Sequence, residues 1–224
     1  MPGLSMQAIK ERSRAALDPL IAFLAQLGVT PAGLTFAGLA LSAAAGVAFG
    51  AGRFGLGTLL LLLAGLCDVL DGGLARATGK SSVAGAFLDS TVDRYSELVV
   101  YLGLAVYYAS SWTAAAVLLA SAGAAQVSYA RARAEGLGEE CRVGLFQRPE
   151  RTAALLVGGA LGPEAMRWVL WGLAVVTNLT AIHRMDYVHR RLRAKAPPAS
   201  AKSARSSTPS GVRELMAVQE EGEV

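Results

Sequence analysis

The sequence predicts an all-α, polytopic membrane protein with six transmembrane helices and an N-terminal amphipathic surface helix. Three observations predict it. The chain of 224 residues is 53% hydrophobic and only 17% charged, with positive mean hydropathy, which excludes an ordinary soluble domain. Its apolar residues gather in long runs rich in Leu, Ala and Gly, the composition of helices that pack through small side chains in lipid. Its Lys and Arg residues lie in short polar segments between those runs, so the net charge of +4 does not form a nucleic-acid surface. Cys67 lies in an apolar run and Cys141 in a polar loop, with nothing to suggest a disulfide framework. No convincing cleavage site follows the early basic residues Lys10, Arg12 and Arg14.

Residues 1–30 read as a juxtamembrane segment. Met6, Ile9, Lys10, Arg12, Arg14 and Leu17 give 5–16 an amphipathic pattern suited to a membrane surface. Asp18-Pro19 then opens a short apolar stretch, Leu20 to Leu27, that cannot span alone. Residues 31–193 carry the six spans. The first, 31–50, starts with Thr30 as cap and Pro31 at the first helical position. The next three are expected over 55–77, 83–108 and 112–131. Pro149 opens a short fifth span ending near 161, where Gly162-Pro163 breaks it, and the sixth runs over 165–187. The sequon Asn178-Leu179-Thr180 falls inside that span and is discounted as a glycosylation site. Residues 194–224, rich in Pro, Ser, Ala and charge, read as a disordered cytoplasmic tail. Nearly all Lys and Arg residues fall at the amino terminus, in 76–80, in 131–151 and after 184; the opposite side holds only Arg53 and Arg167. The positive-inside rule then places both termini on the cytoplasmic side of the cell membrane.

The stretch from Asp68 to Asp93 organises the chain. Asp68 and Asp71 are three apart, and Asp89 and Asp93 are four apart, so on helices each pair shares one face. The run Leu59–Leu63 precedes them and Leu98–Leu102 follows them. Carboxylates at such depth are costly unless paired, hydrated or bound to a cation. Arg76 alone leaves an excess of negative charge, which one or two divalent cations would balance. An all-oxygen donor set suits Mg²⁺, Mn²⁺ or Ca²⁺. Gly72, Gly73 and Gly85 let helix backbones approach closely or let a substrate lie against them. Between the pairs, Thr78-Gly79-Lys80-Ser81-Ser82 forms a short turn in which Ser81 or Ser82 caps the next helix, whose start suits a phosphate.

The pattern D-x2-D-G-x2-A-R-x8-G-x3-D-x3-D is complete in Asp68, Asp71, Gly72, Ala75, Arg76, Gly85, Asp89 and Asp93. It resembles the signature of the CDP-alcohol phosphatidyltransferases. The resemblance implies a membrane-embedded enzyme that displaces CMP from a CDP-linked lipid, CDP-diacylglycerol, with the hydroxyl of a small polar alcohol. It implies two divalent cations, Mg²⁺ with Mn²⁺ as the alternative, held by Asp68, Asp71, Asp89 and Asp93, and Asp93 as general base. It places Thr35, Gly72, Arg76, Ser82 and Gly85 at the CDP-lipid, and it implies a homodimer. Relatives often carry Asn or Asp where this chain has Ala32, so a side-chain contact there is missing.

A second constellation is basic: Arg131 and Arg133 near one helix end, Arg148 and Arg151 at the start of another, and Arg184 near the end of the last. Guanidinium groups bind phosphate bidentately. The runs Ser128–Glu135 and Arg148-Pro149-Glu150-Arg151 resemble the phosphatidylinositol-phosphate synthase branch and its archaetidyl relatives. This implies an inositol phosphate acceptor, with Arg131, Arg148 and Arg184 as its phosphate contacts and Arg151 next. Arg131 stands where relatives often have Lys, which keeps the charge and changes the geometry. A glycerol 3-phosphate acceptor is the alternative within the family. A divalent-cation transporter is the alternative from another class. A lipid bilayer is an expected partner and nucleic acid is not.

Overall fold

The computed structural model describes residues 17–141, 143–144 and 146–195; the amphipathic segment expected over 5–16, and the tail from 196 on, lie outside them. The described residues form seven α-helices and no strand: α1 Leu17–Gln26, α2 Pro31–Gly50, α3 Phe54–Ala77, α4 Val83–Tyr107, α5 Thr113–Glu135, α6 Arg148–Leu161 and α7 Pro163–Lys195. The chain divides into two units, 1–184 and 185–224. The first contains the helix core and every expected site residue. The second, described as far as Lys195, is helical, with Asp186 paired to Arg190 at 2.9 Å and Arg191 5.1 Å from the Tyr187 ring centre.

Local signals set the helix starts. Thr30 Oγ1 accepts from the Gly33 N–H, and Ser82 Oγ accepts from the Gly85 N–H, each the side-chain cap expected of an oxygen before a first turn. α3 stops in a left-handed glycine: Gly79 has φ +66°, its N–H reaches Arg76 O, and the Lys80 N–H reaches Ala75 O. This turn reverses the chain into α4, and α2 packs against both helices, which brings the two acidic pairs to the same end.

Packing in the first unit runs through glycine. α2 lies along both α3 and α4. A Cβ on Gly103 of α4 would overlap the carbonyl oxygen of Gly46 on α2, and one on Gly46 would overlap Val99 O, so these backbones touch. Gly123 of α5 is filled in the same way by Thr177 of α7, and Asn178 beside it donates to Leu119 O at 2.9 Å. Asn178 therefore belongs to a helix contact, as its place inside a span requires. Phe49, Val100, Leu104, Leu155, Met166 and Leu170 close the core.

Among the described residues, four helices, α2, α3, α5 and α7, are long and apolar enough to cross a membrane. The expected six is larger because α4 falls short on charge and α6 on length. α4 has 25 residues but carries Asp89, Asp93, Arg94 and Glu97, and α6 has 14 residues. Three boundaries also move. α1 is already helical at Leu17, so Asp18-Pro19 lies inside it; Ile21 is buried with Leu70 and Leu74 of α3. α5 continues to Glu135 because Ala and Arg are strong helix formers and Arg131 pairs with Glu135 at 2.8 Å. α7 continues to Lys195 for the same reason, past the end of its apolar run.

Candidate active site

The end of α3, the start of α4, the start of α2 and the start of α6 meet around the four aspartates. Asp68, Asp71 and Asp89 each offer an oxygen within 4.8 Å of the other two. Asp71 is buried and accepts a 2.8 Å hydrogen bond from the Thr35 hydroxyl of α2. Asp89 Oδ1 is buried with no hydrogen-bond partner among the described residues. An orphaned carboxylate oxygen is expensive without a donor or a cation. Beside two further carboxylates, with no His or Cys in the set, it fits a divalent cation of the oxygen-preferring kind. The donor set therefore fits the metal expected from the sequence.

Asp93 lies one turn along α4. Its carboxylate meets Arg148 Nη1 at 2.7 Å, and the same nitrogen donates to Asp68 Oδ1 at 2.9 Å. Arg148 is the first residue of α6, so the α6 start is tied to both acidic pairs at once.

Two cavities open from this centre and share Thr35 and Asp71. One, of about 280 Å³, runs between α2, α3, α4 and α6 and is lined by Ser42, Asp68, Asp93, Ser96, Glu97 and Arg148, among others. The other, of about 210 Å³, is lined by Gly72, Arg76, Lys80, Ser82, Gly85 and Asp89. Every residue expected at the CDP-lipid, namely Thr35, Gly72, Arg76, Ser82 and Gly85, lies on the second cavity. The Ser82–Gly85 cap bond directs the start of α4 into it.

The basic constellation is spread more widely. Arg148 lines the first cavity. Arg151 is 1% exposed; its Nε and Nη2 meet the two oxygens of Glu97 at 2.6 and 2.7 Å, and its Nη1 donates to Phe146 O. A phosphate would have to displace one of these partners to reach it. Arg184, also buried, donates to Val143 O and Val127 O and so ties the α5–α6 connection to α7. Arg131 is half exposed and paired with Glu135. Arg133 is exposed. Glu97 is the one cavity carboxylate the sequence reading passed over. The signal for it was present: it follows Asp93 by four residues, on the same helix face, and directly precedes the apolar run Leu98–Leu102.

The comparisons with known proteins agree with this arrangement. The sequence profile of the CDP-alcohol phosphatidyltransferases matches residues 28–180. The archaetidylinositol phosphate synthase of Methanothermobacter thermautotrophicus is 38% identical over 165 residues, 71% of this chain and 83% of its own. The phosphatidylinositol phosphate synthase of Mycobacteroides abscessus is 34% identical over 181 residues, 76% of this chain and 82% of its own. Among solved structures, the Mycobacterium tuberculosis phosphatidylinositol phosphate synthase in complex with manganese and citrate matches with TM-score 0.72 and 31% identity, over 76% of this chain and 87% of that one. The same enzyme with CDP-DAG bound matches with TM-score 0.70, over 76% and 92%. With motif, acidic cluster and fold in agreement, the transporter alternative is set aside, and the chain belongs to the CDP-alcohol phosphatidyltransferase family, transferases of phospholipid biosynthesis.

Proposed function

We propose that the protein transfers the phosphatidyl group of CDP-diacylglycerol to a hydroxyl of inositol 1-phosphate and releases CMP. The observation that carries this reading is the pair of cavities that meet at Thr35 and Asp71. One presents glycines and a capped helix start, a surface for a pyrophosphate. The other presents a carboxylate beside an arginine, a surface for an alcohol that carries a phosphate. The named functions of the relatives favour an inositol phosphate over glycerol 3-phosphate as that alcohol.

In this reading Asp93 takes the proton of the acceptor hydroxyl. The hydroxyl oxygen bonds to the phosphatidyl phosphorus, the bond from that phosphorus to the CMP oxygen breaks, and CMP leaves. Thr35, Gly72, Arg76, Ser82 and Gly85 orient the donor, and Arg148 draws the acceptor phosphate to the mouth of its cavity. Arg131, paired with Glu135, and Arg184, bonded to Val143 O and Val127 O, would each have to leave those partners to serve as the further phosphate contacts, while Arg151 acts through Glu97. Asp68, Asp71, Asp89 and Asp93 would hold two Mg²⁺ ions, which supply charge neutralisation on the phosphate and leaving-group oxygens.

Six spans complete the proposal, with the charged side of α4 turned inward and α6 as a short span. Residues 31–193 form the catalytic domain of this reading. Both termini and the site face the cytoplasm of a cell whose inner membrane holds the enzyme as a homodimer.

Purified protein given CDP-diacylglycerol and Mg²⁺ should release CMP with inositol 1-phosphate and far more slowly with glycerol 3-phosphate. Product with glycerol 3-phosphate alone would replace the inositol assignment. Chelation by EDTA should abolish CMP release, and added Mg²⁺ or Mn²⁺ should restore it. Turnover that persists in EDTA would remove the metal from the reading.

A further inference from the structure

The acceptor cavity has a charged floor that the reaction as drawn does not use. Asp89, Asp93 and Glu97 follow one another at intervals of four on α4, so Glu97 sits one turn below the base. It lines the same cavity as Asp93 and Arg148. Its carboxylate is gripped edge-on by Arg151, through Nε at 2.6 Å and Nη2 at 2.7 Å, and Arg151 is itself fixed by Phe146 O. Burial therefore falls unequally: the Arg151 side chain is 1% exposed, and that of Glu97 is 13% exposed. A carboxylate accepts about four hydrogen bonds, and the guanidinium uses two of these places. The others are left for hydroxyl donors in the cavity. Ser42 of α2 and Ser96 of α4, both buried, line the same cavity. Buried ion pairs are weak devices for stability, because desolvation offsets their attraction. This one has its carboxylate on the cavity lining.

The charge order gives the cavity a direction. Arg148 stands at the level of Asp93, and Glu97 lies one turn deeper. A phosphate is attracted to the first and repelled by the second, whereas neutral hydroxyls suit the second. We propose that Glu97, held in place by Arg151, is a specificity-determining residue that accepts hydrogen bonds from the non-reacting hydroxyls of the acceptor and keeps its phosphate toward Arg148. This rests on the reading of the acceptor as a phosphorylated polyol.

The test compares wild type with the double variant Glu97→Leu/Arg151→Leu, which leaves no unpaired buried charge. KM and kcat are measured for CDP-diacylglycerol, for inositol 1-phosphate and for its monodeoxy analogues, with Tm as the folding control. For wild type, loss of one ring hydroxyl should raise the acceptor KM about 10-fold, the scale of one hydrogen bond to a charged group. In the double variant the KM for inositol 1-phosphate should rise about 10- to 100-fold, and the penalty for the missing hydroxyl should vanish. The KM for CDP-diacylglycerol and the Tm should hold. If the double variant does not fold, Glu97→Gln is read in the same way, with a hydroxyl penalty reduced rather than abolished. An unchanged acceptor KM, or a hydroxyl penalty as large in the variant as in wild type, overturns the proposal. If wild type makes no product from inositol 1-phosphate, the acceptor assignment fails first. Glu97 is then judged by the same comparison on the phosphorylated polyol that wild type does use.

Discussion

Replacing Asp71 by Asn should lower CMP release by about 10³-fold, on the order of 4 kcal/mol of transition-state stabilisation, in a protein that still folds. Asp71 is the carboxylate common to both cavities and one of the three oxygens grouped within 4.8 Å. Asn has nearly the same shape, and its amide oxygen keeps the hydrogen bond from Thr35. What it lacks is the negative charge and the second oxygen. The loss should therefore fall on cation binding and on kcat, with the fold left intact. The check is steady-state CMP release over a Mg²⁺ titration, with Tm measured on the same sample. Asp186→Asn provides a control, because its partnership with Arg190 is exposed and worth little. Full activity in Asp71→Asn would remove the acidic cluster from the chemistry.

Replacing Gly103 by Val should prevent α2 and α4 from packing and cost at least about 3 kcal/mol. The atoms in the way are the Gly46 backbone, its carbonyl oxygen and Cα, and no rotamer change can clear them. Because α2 carries Thr35 and α4 carries Asp89 and Asp93, separating these helices would also pull the site apart. Loss of the folded fraction, read as a lowered Tm or aggregation in detergent, should precede any kinetic effect. Gly172→Ala is the contrasting variant: its Cβ would meet nothing within 4 Å, and removing a helical glycine favours the helix. A Gly103→Val protein with wild-type Tm would show that the two backbones do not touch.

Local features were legible in advance because their physics is local. Thr30 caps α2, Pro31 opens it, and of the two serines expected to cap α4 it is Ser82 that does so. The break at Gly162-Pro163 separates α6 from α7. The acidic pairs stood out because carboxylates in apolar runs need a reason to be there. Span counting was less secure. Hydropathy is an average over a window, and in α4 the four charges from Asp89 to Glu97 dilute the apolar remainder.

The sequence by itself determined the order of the helices and the acidic motif, since spacing along a helix decides which side chains share a face, and the residues on the second cavity followed from the motif's resemblance to its family. Only the tertiary structure decided the cross-helix partners. It joined Arg148 to Asp68 and Asp93, Arg151 to Glu97, and Arg184 to the carbonyls of Val143 and Val127. An arginine in a string of letters carries charge and reach but no direction. Which carboxylate or carbonyl it meets depends on where another helix crosses, and here that crossing is set by glycines whose partners lie on other helices.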